Sequence, residues 1–132
     1  MLWLRLVHIL AGVFWVGAAV FLAAIVVPAA RAAGAEGGQF MERLMQQPRT
    51  RAALGAAMLL TVLSGLAMYG RLSGGFQRGW VTSPQGVALG LGAVAAILAA
   101  AIGGAARRGR SPGLVAGLLV VAVAAMAIAR YL

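Results

Sequence analysis

The chain has 132 residues, 63% of them hydrophobic and only 10% charged, with a mean hydropathy of +0.97. Soluble domains carry about 25% charged residues, so a water-soluble fold is excluded and a bilayer-embedded one expected. The formal charge is +9, every one of the 11 basic residues is Arg, and Glu36 and Glu42 are the whole acidic complement.

Sorted along the chain, the arginines fall between apolar blocks. There they serve as orientation signals and contacts to anionic lipid headgroups, and no nucleic-acid partner is expected. The absence of Cys removes disulfides, thiol catalysis and Cys-based metal sites.

The first apolar block covers residues 6–27. At 1.5 Å per residue it is long enough for a hydrocarbon core of about 30 Å. Signal-peptide apolar regions are only about 7–15 residues long, so the block is read as a retained span, entered at Arg5 and closed by Pro28. Residues 28–51 form the longest connection. Within it, 39–47 predicts a short interfacial amphipathic helix, with Phe40, Met41, Leu44 and Met45 on one face and Glu42, Arg43, Gln46 and Gln47 on the other, ended by Pro48.

The second span is read at 52–69, stopped by Gly70 and Arg71. The Gly- and Ser-rich stretch 70–85 then reads as a loop whose Phe76 and Trp80 sit at headgroup level. The third span covers 86–106, a basic turn 107–113, and the fourth span 113–129. The expected fold is all-α: an integral membrane protein, one domain over 1–132, with four transmembrane helices in an up-down-up-down antiparallel bundle.

Under that topology one side carries Arg31, Arg43, Arg49, Arg51, Arg107, Arg108 and Arg110, and the other carries Arg5, Arg71, Arg78 and Arg130. The more basic side is the cytoplasmic one, which puts both termini outside the cytoplasm.

Helices in lipid associate through close backbone approach and a few polar contacts. Ala88, Gly92, Ala96, Ala100 and Gly104 recur every fourth residue along the third span, with Gly86 and Gly90 beside them. This small-residue ridge serves packing inside the bundle or a homo-oligomer interface, the former being favoured. Thr61 and Ser64 are read first as local helix hydrogen bonds and second as links to a neighbouring helix. Trp15 is read as core.

His8 is the one histidine and, apart from Tyr69 at the very end of the second span, the one titratable side chain inside a span. A group of that kind is either functional or hydrogen-bonded to a partner that fixes its helix. It shares a helix face with Gly12, Trp15 and Ala19, and the Gly12 notch leaves room either for a flat macrocycle or for a second helix. Antiparallel spans would place Met68, Tyr69, Met126 and Tyr131 at the depth of His8. A neutral imidazole with one or two thioethers is a ligand set for haem iron or Cu(I), so His8, Met68 and Met126 are the candidate cofactor residues, with His8 the metal ligand. No span contains a carboxylate, and neither a catalytic triad nor an HExxH pair is present. Hydrolysis is therefore not expected, and the chain leans away from being an enzyme.

Residues 6–31, "LVHILAGVFWVGAAVFLAAIVVPAAR", resemble the first span of small bacterial four-helix membrane proteins of the copper-resistance protein D and HemJ-like group. The resemblance is carried by His8, Trp15, Gly17 and Pro28, and "TVLSGLAMYGRL" at 61–72 is similar to the second span of those proteins. It covers about half of the chain and implies a four-helix membrane protein in which His8 ligates haem b or copper. HemJ-like enzymes pair the first-span His with a Lys on a later span, and this chain has no Lys. A transport component and a non-catalytic membrane scaffold are the other two classes the sequence admits.

Overall fold

Uncharged runs of Ala, Leu, Val and Gly leave the intrahelical ladder as the way to satisfy the backbone away from water. The computed structural model describes residues 1–105 and 112–132, and these are all-helical, with no strand among the described residues. The helices are α1 (Leu2–Phe21), α2 (Val27–Ala32), α3 (Gly34–Gln46), α4 (Pro48–Leu72), α5 (Arg78–Val81), α6 (Pro84–Ala105) and α7 (Pro112–Ala129). A π-helical segment, Leu22–Val26, joins α1 to α2. Four stretches are long and apolar enough to cross a membrane: Leu2–Ala32, Pro48–Leu72, Pro84–Gly104 and Pro112–Ala129. The basic turn expected at 107–113 lies for the most part outside the described residues.

Several boundaries differ from the sequence expectation: Gly70 and Arg71 do not stop the second span, whose helix α4 runs Pro48–Leu72, and the stretch 70–85 read as a loop contains α5. Pro28 does not close the first helix, which runs on to Ala32. A proline inside a helix lacks an N–H and its ring collides with the carbonyl four residues back, at a cost of about 3 kcal/mol. Here the turn before it widens, and the Val27 N–H donates to the Leu22 carbonyl, five residues back. That wider turn relieves the crowding and lets the helix continue. The helix stops one turn later, where Gly34 adopts φ +65° and reverses the chain.

The amphipathic segment is also longer than 39–47, because α3 starts at Gly34 and folds back onto α2. Pro48 ends it as expected. Gln47 is held extended (ψ 129°), and Pro48 then occupies the first turn of α4, where its missing N–H costs nothing. On α3 the Gln46 amide donates to Glu42 at 3.0 Å, while Phe40 and Met45 remain exposed.

The four long helices form two close pairs, α6 with α7 and α1 with α4, joined by the looser seams α4–α6 and α1–α7. As α1 advances from His8 to Gly12, its contacts on α4 retreat from Gly65 to Thr61. In the same way Gly92 of α6 meets Ala122 and Met126, while Gly103 meets Val115.

The core is built from small residues, Ala57, Ala95, Ala96, Ala99 and Ala122, around Trp15 and Leu119. Large apolar side chains point outward instead: Leu10, Val13, Leu63, Leu91 and Val121 are each more than half exposed. Soluble proteins show the reverse pattern, and a surface this apolar marks contact with lipid or another apolar partner. Of the small-residue ridge, Gly92 and Ala96 are buried inside the chain, Ala88 and Ala100 are half-buried, and Gly104 is exposed. A Cβ on Gly92 would lie 3.2 Å from the Ala122 carbonyl oxygen and 3.3 Å from Met126 Cγ. The middle of the ridge is thus occupied by α7.

Candidate functional site

His8 lies on the face of α1 that packs against α4. Its Nδ1 is 2.9 Å from the Thr61 carbonyl oxygen and 3.2 Å from Ser64 Oγ. A carbonyl accepts and cannot donate, so Nδ1 carries the ring proton and donates to it. Ser64 commits its own hydroxyl proton to the Leu60 and Thr61 carbonyls, which leaves its oxygen free to accept from the ring as well. Thr61 donates to Ala57 at 2.7 Å. The Thr61 hydroxyl thus bonds only within its own helix, the Ser64 hydroxyl bonds both within the helix and to the imidazole, and the second acceptor for the ring is the Thr61 backbone carbonyl.

Space for the ring comes from Gly65. A Cβ there would approach His8 Cε1 to 2.9 Å, a distance real side chains do not adopt, so only Gly lets the imidazole lie flat against α4. The Gly12 notch is filled by a helix and not by open space, since Thr61 Cγ2 would sit 3.6 Å from a Cβ on Gly12. One turn further along α1, Trp15 is 6% exposed and belongs to the core, as expected.

With Nδ1 protonated and tied down, the free lone pair of the ring is on Nε2. Among the described residues Nε2 has no hydrogen-bond partner, and it is not sealed from its surroundings. The ring borders a cavity of about 240 Å³ between the two helix pairs. Met68 from α4 and Met126 from α7 line the same cavity, so all three sequence-predicted ligand residues converge there. Tyr69 joins them, whereas Tyr131 is 86% exposed and does not line the cavity.

The remaining wall is almost wholly apolar, with Ile9, Val62, Leu66, Leu72, Leu89 and Ile97. Arg5, one turn before His8, lines it as well. Sequence reading treats Arg5 only as part of a charge count. Its i, i+3 spacing from His8 is the signal that the two share a face.

Next to the cavity, an aromatic cluster closes the α4–α6 connection. Tyr69 packs edge-on against Trp80 (centroids 5.2 Å, interplanar 78°) and tilted against Phe76 (5.9 Å). Its hydroxyl donates to the Gly86 carbonyl at 3.2 Å. Gly86 and Gly90, expected as a helix-contact pair, here make room for that phenol and for the turn before α6. Ser73, 1% exposed, braces the turn by donating to the Gly70 carbonyl and accepting from the Phe76 N–H.

Among the described residues no three His, Cys, Asp or Glu side chains gather as a metal site. Any metal at His8 would have to draw its other donors from thioethers. The fold and this cavity place the chain in a broad class, all-helical proteins with four membrane-length helices and a lone histidine facing an interior space. Comparisons of the chain with protein-family models, with curated proteins and with solved structures give no match. The likeness to the copper-resistance protein D and HemJ-like group accordingly rests on residues 6–31 and 61–72 alone.

Proposed function

We propose that the chain is a multi-pass membrane protein that binds Cu(I) through His8 Nε2, with Met68 and Met126 as thioether donors. The observation that carries the reading is the pinned imidazole. A metal-ligating His ordinarily donates its other ring N–H to a carbonyl or carboxylate, which fixes the tautomer and aims the lone pair, and His8 does this to Thr61. The convergence of two thioethers on the same cavity supplies the soft, neutral donors that suit Cu(I). The bound ion would supply soft-metal coordination, and the chain's own part is to orient the imidazole, shield it with apolar walls and set its protonation.

Haem b, the other cofactor the sequence admits, fits less well. The cavity is smaller than the roughly 300–1,000 Å³ of small-molecule sites, and α4 already fills the Gly12 notch where a macrocycle could have stacked.

The membrane setting of this proposal is an up-down-up-down bundle in a cell membrane, a bacterial inner membrane by the resemblance. Both termini lie outside the cytoplasm, and the Arg-rich connections meet anionic headgroups. The outward-facing large apolar residues and the positions of Arg31, Arg43, Arg49 and Arg51 support it.

The test is a competition titration of purified protein in nanodiscs against a chromophoric Cu(I) chelator. Stoichiometric binding is expected, weakened at least about 100-fold in His8→Gln and about tenfold in Met126→Leu. A chelator curve unchanged by the protein would overturn the assignment, and a Soret band in the purified protein that disappears in His8→Gln would replace copper with haem.

A further inference from the structure

The cavity contains a charge that a copper site does not need. Arg5 lines it, is exposed, and has no hydrogen bond or ion pair among the described residues. Neither acidic side chain is near it, because Glu36 and Glu42 both lie on α3, beyond the far end of the long Leu2–Ala32 helix. Beneath Arg5 the walls are Ile9, Val62, Leu66, Leu72, Leu89 and Ile97, a lining far more apolar than a hydrated ion would favour. An exposed Arg among the lining residues of an otherwise apolar slot is complementary to an amphiphile with an anionic head and a hydrocarbon tail. Arg matches a carboxylate with two parallel N–H···O bonds, and an apolar wall accepts a hydrocarbon chain without desolvating any polar group.

We propose that the cavity binds a long-chain fatty carboxylate from the surrounding membrane, its head on Arg5 and its chain in the space between the α1–α4 and α6–α7 pairs. The size selects one chain. About 240 Å³ between the helix pairs takes up part of one hydrocarbon chain, and the opening lets the remainder continue along the outer apolar surface. Charge selects the acid over its uncharged analogues. The proposal stands on Arg5 and the apolar walls and does not rest on the copper reading.

The experiment uses the full chain in nanodiscs of zwitterionic lipid with a metal chelator present, so that copper plays no part in the outcome. Parinaric acid is the probe, read by energy transfer from the protein's Trp residues against empty discs, and palmitate and hexadecanol are the competitors. Palmitate is expected to displace the probe at a concentration at least about tenfold lower than hexadecanol. Arg5→Gln should abolish that difference and Arg5→Lys should keep most of it. Ala93→Leu, which places a larger side chain on the cavity wall, should weaken both competitors. Equal displacement by acid and alcohol, or an unchanged preference in Arg5→Gln, would overturn the carboxylate assignment. Full binding in a folded Ala93→Leu protein would remove the site from this cavity. Arg5 is exposed and without partners in the fold, so its variants keep the test open if the cavity variant does not fold.

Discussion

The two helix pairs are built on opposite principles. Between α6 and α7 the contact is wholly apolar, small Ala and Gly residues with Val115, Leu119 and Met126, and Gly92 brings the backbones so close that a methyl group would press on the Ala122 carbonyl. Between α1 and α4 the contact is organised by polar atoms: His8, the Thr61 carbonyl, Ser64 and a glycine that makes way for a ring. The first pair draws on dispersion and close approach, where each atom pair contributes little and the sum is large. The second gives up some of that density for an oriented imidazole and a cavity. The first design stabilises the bundle, and the second provides something for it to hold.

Substitutions can break this contrast in graded steps. The largest effect is expected from Gly92→Leu, which forces a branched side chain into the α6–α7 seam. Overpacking of this kind costs about 1–3 kcal/mol and occasionally more, and the Trp fluorescence melt in detergent should fall by several degrees or lose cooperativity. A melt within one degree of the parent would show that the seam yields more easily than its distances suggest.

Gly65→Ala comes next. It should displace the imidazole while barely shifting the melt, weakening Cu(I) binding by about tenfold or more, in line with the 10- to 100-fold losses seen when groups supporting a metal ligand are changed. A large loss of stability with intact metal affinity would reverse the roles assigned to the two pairs.

Ser64→Ala removes one of the two acceptors at Nδ1 and leaves the Thr61 carbonyl in place. Membrane-buried hydrogen bonds average about 0.6 kcal/mol, so the shift in stability should be small and the fall in metal affinity about threefold. Tyr69→Phe is the mildest. It deletes the bond to Gly86 and keeps the aromatic packing, for a similar loss of about 0.6 kcal/mol, with copper affinity unchanged within twofold. A strong effect of Tyr69→Phe on copper would mean that the aromatic cluster shapes the cavity from outside.

Much of this was legible beforehand. The four apolar blocks, the amphipathic segment ended by Pro48, the buried Trp15 and the gathering of His8 with Met68, Tyr69 and Met126 all follow from period, length and depth. Pro28 misled because the rule that proline ends a helix is local, and a π turn can absorb the lost hydrogen bond. Gly86 and Gly90 misled because a small-residue spacing says that something approaches closely without saying what, and here it is a phenol and a turn. Tyr131, expected only at the depth of His8, lies past the end of α7, is exposed and does not line the cavity.

By itself the sequence determined that this chain is helical and has four segments of membrane length, because hydrophobicity and the need to satisfy every backbone group are properties of each segment alone. It also singled out His8, since that is the one histidine and the expected spans hold no Asp, Glu, Lys or Arg. Only the tertiary structure decided which nitrogen of His8 is free, that Gly65 rather than Gly12 makes its room, and that Arg5 shares its cavity. Those facts depend on the rotation and register of α1 against α4, which are set by contacts between residues more than 50 positions apart.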